Sequence, residues 1–345
     1  MFSIGIVGLP NVGKSTLFSA LTQKKVPIAP YPFTTIEPNK GIVSLPDKRL
    51  EKLAEILKPE KVTPVFLEFI DIAGLVRNAH LGEGLGCEFL SHIQEVDLIL
   101  EVVRLFENEK VSHTEKTIDP KRDIEIIKNE ILARDKKIVL KRKKEFFKDE
   151  IQKEAIEKIQ LFLENGLWLK DEAQKLPSPL NQEVERISKA LGLLSIKPIF
   201  YLFNINLPEQ KNLCPPLPQG SYFFLNAEEE REIQTLSQKE VEELSLKSCL
   251  DELILACYNK LELITFYTIK GKEVRANEIK KGSTIFEAAG KIHSDFQKNL
   301  KKAEVISFED FLNCQNWSRC KEDGKIKIKG HQAEVEDGEI IEFKI

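Results

Sequence analysis

The sequence predicts an α/β protein with a mostly parallel sheet that carries helices on both faces, an inserted helical segment and a small C-terminal α+β domain. Three observations support this prediction. Strand-like apolar runs alternate with helical patterns over residues 1–120 and again over 193–262. Residues 121–192 contain almost no glycine and repeat apolar residues at helical spacing, which indicates an inserted helical hairpin or short coiled coil. Residues 263–345 change to short strands around one helix.

The overall composition excludes several classes of protein. Of the 345 residues, 42% are hydrophobic and 31% are charged, which is typical of a globular chain. Lysine and arginine number 51 and aspartate and glutamate 55, so the net charge of −4 excludes a uniformly basic nucleic-acid coat. No apolar run approaches the roughly 20 residues of a membrane helix. Because the N-terminus also lacks a signal-peptide pattern, we expect a cytoplasmic protein without a membrane anchor.

A phosphate-binding loop follows the first strand. Residues 8–15 read GLPNVGKS and match G-x-x-x-x-G-K-[ST] between a strand at 2–7 and a helix, which is the context that the motif requires. Backbone N–H groups of such a loop surround phosphates, Lys14 adds a positive charge that makes it a catalytic candidate, and Ser15 is a magnesium ligand. The predicted nucleotide contacts in this loop are Asn11, Val12, Gly13, Lys14, Ser15 and Thr16.

A D-x-x-G motif ends the apolar strand that begins at Phe66. In P-loop GTPase-like folds the aspartate of this motif holds a magnesium-bound water, and the glycine amide senses the terminal phosphate. We therefore predict Asp71 as a metal-site residue and Gly74 as a catalytic one. The loop between the two motifs is rich in proline and threonine and offers Thr35 as a further metal ligand, with Thr34 as the competing candidate. The two motifs together predict a P-loop GTPase-like sheet.

The motif that reads the base is expected after a later strand. Guanine recognition in this fold uses N-K-x-D, whose carboxylate accepts two hydrogen bonds from the guanine edge. This chain has Asn204-Ile205-Asn206-Leu207, so a leucine replaces the carboxylate. The first three of these residues are predicted to bind the nucleotide, with Asn204 and Asn206 available to an adenine edge. Without the carboxylate, strong discrimination in favour of guanine is lost.

Local patterns predict further elements in the second half of the chain. A single helix is expected over 238–261, so the N-K-x-D-like segment at 259–262, which ends this helix, is interpreted as a coincidental match. Another helix is expected over 284–299. The Asp337-Gly338 pair beside a strand-like run is typical of a β-hairpin turn.

Over nearly the whole chain, these motifs resemble the YchF or Obg-like ATPase family of translation-factor-related P-loop proteins. The segments that carry the resemblance are GLPNVGKST (8–16), YPFTTIEPN (31–39), DIAGLV (71–76), GEGLG (82–86), KEVRA (272–276), AAGKIHSDF (288–296) and AEVI (303–306). Together they are far more specific than a phosphate loop alone. This chain departs from the family at Leu207, where an acidic residue is typical.

The resemblance implies a GTPase-like domain with a coiled-coil insertion and a C-terminal TGS domain of ubiquitin-like (β-grasp) fold. It also implies magnesium-dependent hydrolysis of ATP, with GTP weaker or comparable, and association with ribosomes. Leu75, which follows the D-x-x-G motif, cannot hydrogen-bond a water molecule. Backbone groups, a monovalent cation or a loop side chain must then orient the attacking water. The family-equivalent position makes His113 a catalytic candidate, with a solvated loop histidine as the alternative, and Asn11 matches a potassium-coordinating position.

A basic segment lies within the predicted insertion. Residues 131–148 include eight basic and two acidic side chains, a local charge of +6. Such a cluster suits a phosphate backbone, so ribosomal RNA is the expected partner, contacted through this segment and the TGS domain. A solvated helix face is the alternative interpretation.

Three functions therefore compete. The leading hypothesis is a magnesium-dependent nucleotide hydrolase that converts ATP to ADP and phosphate and acts as a ribosome-associated molecular switch. The second is a guanine-specific GTPase of the Obg type, which the missing carboxylate disfavours. The third is a ribosome-binding module that nucleotide stabilises, with negligible turnover, which Leu75 leaves open.

Overall fold

The computed structural model describes residues 1–23, 39–72, 85–111, 117–146 and 149–345, with the side chains of 85–88 left out. The elements up to residue 111 are β1 (Phe2–Val7), α1 (Lys14–Gln23), β2 (Lys40–Ser44), α2 (Lys48–Leu57), β3 (Lys61–Thr63), β4 (Phe66–Asp71), α3 (Leu85–Glu95) and β5 (Leu98–Arg104). The elements from 117 to 262 are α4 (Pro120–Arg142), α5 (Glu150–Glu164), α6 (Leu169–Ala173), α7 (Leu180–Leu191), β6 (Ile199–Asn204), β7 (Tyr222–Leu225), α8 (Ala227–Thr235), α9 (Gln238–Glu243) and α10 (Leu250–Lys260). The remaining elements are β8 (Leu263–Lys270), β9 (Glu273–Lys280), α11 (Ile285–Ile292), α12 (Ser294–Asn299), β10 (Lys302–Ile306), α13 (Phe308–Cys314), α14 (Trp317–Glu322), β11 (Lys327–Lys329) and β12 (Ile340–Lys344).

The first sheet has the strand order β2-β4-β1-β5-β6-β7. β2 runs antiparallel to β4, and the other neighbouring pairs are parallel. All seven residues of β5 are buried, and since successive side chains of a strand point to opposite faces, both faces of the sheet are covered there. The predicted α/β class with a mostly parallel sheet is confirmed. The carboxyl ends of β1, β4 and β6 meet at one edge, which is where ligands bind in open α/β sheets.

The helical segment contains α4, α5, α6 and α7, so a two-helix hairpin accounts for only part of it. Gly166, with φ of +69°, follows α5, and Pro177 and Pro179 precede α7. The chain therefore makes two turns, after α5 and before α7, that the spacing of apolar residues did not predict. α4 is fastened through Asp135 to the connection between α7 and β6. This fully buried carboxylate accepts hydrogen bonds from the backbone N of Leu194 at 3.0 Å and from the backbone N and Oγ of Ser195 at 2.8 and 2.6 Å.

The second sheet has the order β11-β10-β12-β8-β9-β3. β8 and β9 form an antiparallel hairpin, β12 lies parallel to β8, and β10 runs antiparallel to both of its neighbours. α11 packs on this sheet, in agreement with the predicted α+β character. The edge strand β3 was not predicted as part of this sheet, because it comes from the first part of the chain. It pairs in parallel with β9 from Lys61↔Glu273 to Thr63↔Arg275.

Two predicted helices are interrupted. The helix expected over 238–261 is wrong as a single element, because α9 ends at Glu243 and α10 begins at Leu250. Ser245 has φ of +51°, which an α-helix does not accommodate. The carboxylate of Glu230 then fixes the connection, accepting from Ser248 Oγ at 2.6 Å and Cys249 N at 2.7 Å.

The helix expected over 284–299 is likewise divided, because His293 adopts an extended conformation and its Nδ1 accepts from the backbone N of Asp295 at 3.1 Å, which caps α12.

The β-hairpin expected at Asp337-Gly338 is also wrong. β12, which follows this turn, pairs with β8 and β10, whereas β11 pairs with β10 alone. In each case a contact that the local pattern does not show decided the structure. A side-chain cap divides the helix, and long-range strand partners replace the hairpin.

A polar cluster joins the two sheets through α2. Arg49 binds the carboxylate of Asp337 with both terminal nitrogens, at 2.8 and 3.2 Å. Tyr267, which is fully buried, donates its hydroxyl to Asp47 at 2.7 Å, and Asp337 also accepts from the backbone N of Thr265 at 2.9 Å. Asp47 is the N-cap of α2, so the start of this helix is tied to the second sheet. The turn at Asp337 thus serves this contact.

Glu101, in the middle of β5, is a buried carboxyl whose Oε2 has no hydrogen-bond partner. Burial raises the pKa of Glu101 well above its usual value, and Asp123 and Glu125 add to the effect. The folded protein therefore keeps this proton to a higher pH than the unfolded chain, which releases it above a pH of about 4.3.

We expect wild-type stability to fall as pH rises from about 4.3 toward the raised pKa, by up to about 1.4 kcal/mol per pH unit. Glu101→Gln, which cannot ionise, should remove this component and stabilise the protein at pH 8 relative to wild type. Urea unfolding at pH 5 and pH 8 measures the difference. Glu55→Gln, at an exposed position of α2, is the matched control. Parallel pH profiles for wild type and Glu101→Gln would contradict the prediction.

Within the described ranges, every helix is too short or too polar to span a lipid bilayer.

Candidate nucleotide-binding site

The phosphate loop connects β1 to α1 in a backbone conformation that depends on glycine. Gly13 has φ of +101°, and a Cβ placed there would lie 2.3 Å from Nδ2 of Asn204. A Cβ at Gly8 would lie 2.6 Å from the carbonyl oxygen of Val102 on β5. The loop therefore sits directly against the first sheet, and side chains are excluded at both glycines of the motif.

Lys14 lies beneath this loop with 8% of its surface exposed. Its Nζ donates to the carbonyl oxygens of Gly8 at 3.1 Å and Leu9 at 2.9 Å. Burial lowers the pKa of Lys14, and the nearby carboxylate of Asp71 opposes the shift. An ammonium group held by two carbonyls at a loop of this kind is already placed for an anionic ligand.

Ser15 and Asp71 meet at the edge of the sheet. Ser15, at the start of α1, donates its hydroxyl to Oδ2 of Asp71 at 2.8 Å. The other carboxylate oxygen of Asp71 is buried and has no hydrogen-bond partner. A hydroxyl beside a carboxylate with an unused oxygen is the donor set that Mg²⁺ prefers.

Asn204, at the end of β6, braces two loops against each other. Its Nδ2 donates to the carbonyl oxygen of Val12 at 2.9 Å, and its Oδ1 accepts from the backbone N of Ala227 at 3.0 Å. Both polar atoms of this buried amide are therefore engaged within the protein. Asn204 holds the phosphate loop to the start of α8, which leaves Asn206 as the more accessible asparagine of the motif.

These residues line a cavity of about 840 Å³, within the usual range for small-molecule sites of about 300–1,000 Å³. Its lining consists of Asn11, Gly13, Lys14, Ser15, Thr16, Phe106, Asn108, Val111, Asn204, Ile205, Asn206, Asn226, Glu228, Glu229 and Glu232. Among these described residues Lys14 is the one cationic side chain, whereas α8 contributes three glutamates. A polyphosphate in this cavity would therefore need a metal ion and backbone N–H groups to balance its charge.

One wall of the cavity was missed by the sequence analysis. The loop after β5 is held by Arg104, a buried residue whose guanidinium donates to the carbonyl oxygens of Phe106 at 3.0 Å, Val111 at 3.1 Å and Asn108 at 3.4 Å. The same guanidinium lies 4.3 Å from the centroid of the Phe106 ring. An arginine at the end of a buried strand was the available signal, but its partners are backbone carbonyls that no motif identifies.

The segment after β6 forms a neighbouring wall. Ile205 donates its backbone N to the carbonyl oxygen of Leu225 at 2.9 Å, which continues the sheet for one residue. Leu207 has 56% of its surface exposed and begins a short 3₁₀ helix, Pro208–Leu213. The side chain that replaces the guanine-binding carboxylate thus offers no polar group at this wall.

Three predicted site residues lie outside the described part of the chain. They are Thr35, Gly74 and His113, and the competing Thr34 and the adjacent Leu75 lie there too. The remaining predicted nucleotide and metal residues gather around the cavity or brace its loops, with Val12 contributing through its carbonyl oxygen. Their binding roles stay predictions.

Comparison with known proteins gives full-length matches. A ribosome-binding ATPase YchF from Mycoplasma genitalium is 41% identical, with 100% of this chain and 99% of that protein covered, and its namesake from Bacillus subtilis is 39% identical over 99% and 98%. The structure of the Schizosaccharomyces pombe YchF GTPase superposes with a TM-score of 0.83 at 34% identity, covering 99% of this chain and 97% of that one. A family model described as a 50S ribosome-binding GTPase matches residues 3–144, and the YchF-GTPase C-terminal model, described as a protein of unknown function, matches residues 263–345.

Proposed function

This chain belongs to the YchF family of P-loop nucleoside-triphosphate hydrolases, and we propose that it is a magnesium-dependent ATPase that acts as a ribosome-associated switch. The observation that carries the proposal is the meeting of the phosphate loop, the Ser15–Asp71 pair and Lys14 at one cavity. The ribosome is proposed as a partner because the relatives are named as ribosome-binding ATPases. The domain assignment follows the sequence analysis, with residues 1–120 and 193–262 as the nucleotide-binding part, 121–192 as the helical insertion and 263–345 as a TGS domain.

Magnesium fits the residues of this cavity. Ser15 and Asp71 would hold the ion directly or through water, with Thr35 as the third protein group that the sequence suggests. Magnesium would neutralise charge on the terminal phosphates and polarise them for attack. Magnesium is needed more here than in a basic pocket, because three glutamates of α8 line the cavity and Lys14 is the one cationic side chain among its described lining residues.

The chain's own groups then perform three tasks. Backbone N–H groups of residues 11–16 and the N-terminus of α1 receive the phosphates. Lys14 supplies positive charge where negative charge develops in the transition state. Gly74 would contact the terminal phosphate through its amide, and His113 would orient the attacking water that Leu75 cannot bind.

Potassium is the proposed second ion. Asn11, at the phosphate-loop position that the family resemblance connects with potassium, has φ of +62°, and its side chain lines the cavity. We expect ATP turnover to be faster in potassium chloride than in sodium chloride at equal ionic strength. Asn11→Ala should abolish the difference. Equal wild-type rates in the two salts would contradict a role for potassium.

ATP is the proposed substrate in preference to GTP. Guanine carries two N–H donors on one edge, and a site without an acceptor for them leaves both unpaired, which penalises binding. Leu207 supplies no such acceptor. Calorimetric titration of the full chain with ATP and with GTP, each with magnesium, tests this preference. Tight GTP and weak ATP would instead support the guanine-specific alternative.

The proposed contact with ribosomal RNA involves the basic segment 131–148 and the C-terminal TGS domain. Arg134 forms hydrogen bonds within the protein, since it donates to the carbonyl oxygen of Gly192 at 3.0 Å and to Oε1 of Gln94 at 3.0 Å, so it is left out of the proposed contact. Lys137, Lys141 and Lys144 are exposed and remain available to a phosphate backbone.

Charge reversal of Lys137, Lys141 and Lys144 to glutamate should weaken ribosome co-sedimentation and flatten its salt dependence, by a slope of about 0.7–0.9 for each phosphate that is no longer neutralised. The control reverses Lys52, Lys239 and Lys247, which are exposed elsewhere and give the same change in net charge. If both triple variants behaved like wild type, the segment would be a solvated helix face.

A further inference from the structure

Gln210 and Asn206 form a hydrogen-bonded pair beside the cavity, and the geometry fixes which atom of each amide is which. Oε1 of Gln210 accepts from the backbone N of Asn206 at 2.9 Å and from the backbone N of Leu207 at 3.2 Å. Backbone N–H groups only donate, so this atom of Gln210 must be its oxygen. The other amide atom of Gln210 is therefore the nitrogen, which donates to Oδ1 of Asn206 at 2.7 Å.

This arrangement fixes the orientation of the Asn206 amide. Its Oδ1 accepts from Gln210, which is itself buried with 9% of its surface exposed. Its Nδ2 makes one long contact of 3.4 Å with the carbonyl oxygen of Glu107 and carries a second hydrogen. Asn206 lines the cavity and is exposed, so its amide nitrogen offers a ligand a hydrogen-bond donor, while the bond to Gln210 holds the amide oxygen on its own side.

A donor at this place distinguishes the two purine bases. The pairing edge of adenine has an acceptor at N1 beside its amino group, whereas guanine has an N–H donor at N1 and an amino group at C2. The Asn206 amide nitrogen complements adenine N1 but meets guanine N1 donor to donor. If guanine instead placed its carbonyl oxygen on Asn206, the residue at the position of the guanine-binding carboxylate would be Leu207, whose side chain has no acceptor for the two guanine donors.

We propose that Gln210 is a positioning residue that holds Asn206 as a hydrogen-bond donor and thereby selects adenine over guanine. The inference rests on the proposed function, since it assumes that the base of a bound nucleoside triphosphate lies at this wall. It assigns the base selectivity of the site to a side chain that lies beyond the 204–207 motif, in the 3₁₀ helix that follows it.

Two near-isosteric variants convert the donor into an acceptor by different routes. In Asn206→Asp, one carboxylate oxygen still accepts from Gln210 and the other replaces the amide nitrogen. In Gln210→Glu, the carboxylate still accepts from the two backbone N–H groups, but it can no longer donate to Asn206. The Asn206 amide should then rotate so that its nitrogen donates to the new carboxylate, which turns its oxygen toward the cavity.

The experiment is calorimetric titration of wild type and both variants with ATP and with GTP in the presence of magnesium. We expect each variant to shift the ratio of the ATP and GTP dissociation constants toward GTP by about tenfold, the effect of one hydrogen bond. Gln210→Glu should leave the ratio unchanged when it is introduced into Asn206→Ala, because the residue then has nothing to orient. A purely structural role of Gln210 would weaken both nucleotides equally.

The outcomes separate this inference from the function it rests on. Wild type that binds neither nucleotide would overturn both. Wild type that binds ATP, with the same ATP-to-GTP ratio in the Asn206→Asp variant, would overturn the inference alone. Should Gln210→Glu fail to fold, the Asn206→Asp titration still decides between these outcomes.

Discussion

Replacing Lys14 by methionine should lower the single-turnover rate of ATP hydrolysis at saturating ATP and magnesium by about 10²–10³-fold. Among the described residues that line the cavity, Lys14 is the one cationic side chain, and three glutamates of α8 line the same cavity. Methionine keeps most of the buried stem but removes the charge, whose effect is largest in the transition state. Rapid-quench measurement of ADP formation follows the chemical step directly.

Lys197→Met is the matched control for this substitution. Lys197 also donates its ammonium to two backbone carbonyls, those of Gln94 at 3.0 Å and Val96, and burial lowers its pKa as it does for Lys14. It lies outside the nucleotide cavity, so its replacement should reduce stability while leaving the single-turnover rate near that of wild type. Equal losses of rate in the two variants would mean that Lys14 acts through stability alone.

Replacing Gly13 by alanine should weaken ATP binding by about 10²-fold. The backbone at this position has φ of +101°, and the new methyl group would lie 2.3 Å from Nδ2 of Asn204. A residue forced into such a conformation costs about 1–3 kcal/mol. Displacing Asn204 also breaks its bond to the Val12 carbonyl, which adds about 1 kcal/mol. Calorimetric titration with ATP measures the combined loss.

Gly271→Ala provides the control for backbone strain without a collision. Gly271 has φ of +59° in the turn between β8 and β9, and nothing lies within 4 Å of a Cβ placed there. This variant should cost stability but bind ATP as wild type does. If Gly13→Ala bound ATP with wild-type affinity, the contact between the phosphate loop and Asn204 would not be needed for binding.

The sequence was sufficient where function depends on short contiguous patterns. The phosphate loop could be predicted because its glycines are required by local backbone geometry. The pairing of Ser15 with Asp71 followed as well, since parallel strands bring their carboxyl ends to one edge. The class of the first sheet could be predicted from the apolar runs of β1, β4 and β5.

Features that depend on distant partners could not be predicted in this way. β3 is a three-residue strand whose place is set by β9, which comes from the last third of the chain. Arg104 and Gln210 act through backbone groups, so no residue pattern identifies them. The interruption at 244–249 depends on Glu230 of α8, whose carboxylate accepts hydrogen bonds from Ser248 and Cys249. In each case a long-range contact overrode or added to the local signal.

The most direct test of the proposed function is the rate of phosphate release from ATP by the full chain with magnesium, measured with and without ribosomes. We expect ATP to be hydrolysed to ADP and phosphate, hydrolysis to stop when magnesium is chelated, and the rate to change when ribosomes are added. ATP that binds but is not hydrolysed under either condition would contradict an ATPase switch. That result would support a ribosome-binding module whose nucleotide only stabilises the fold.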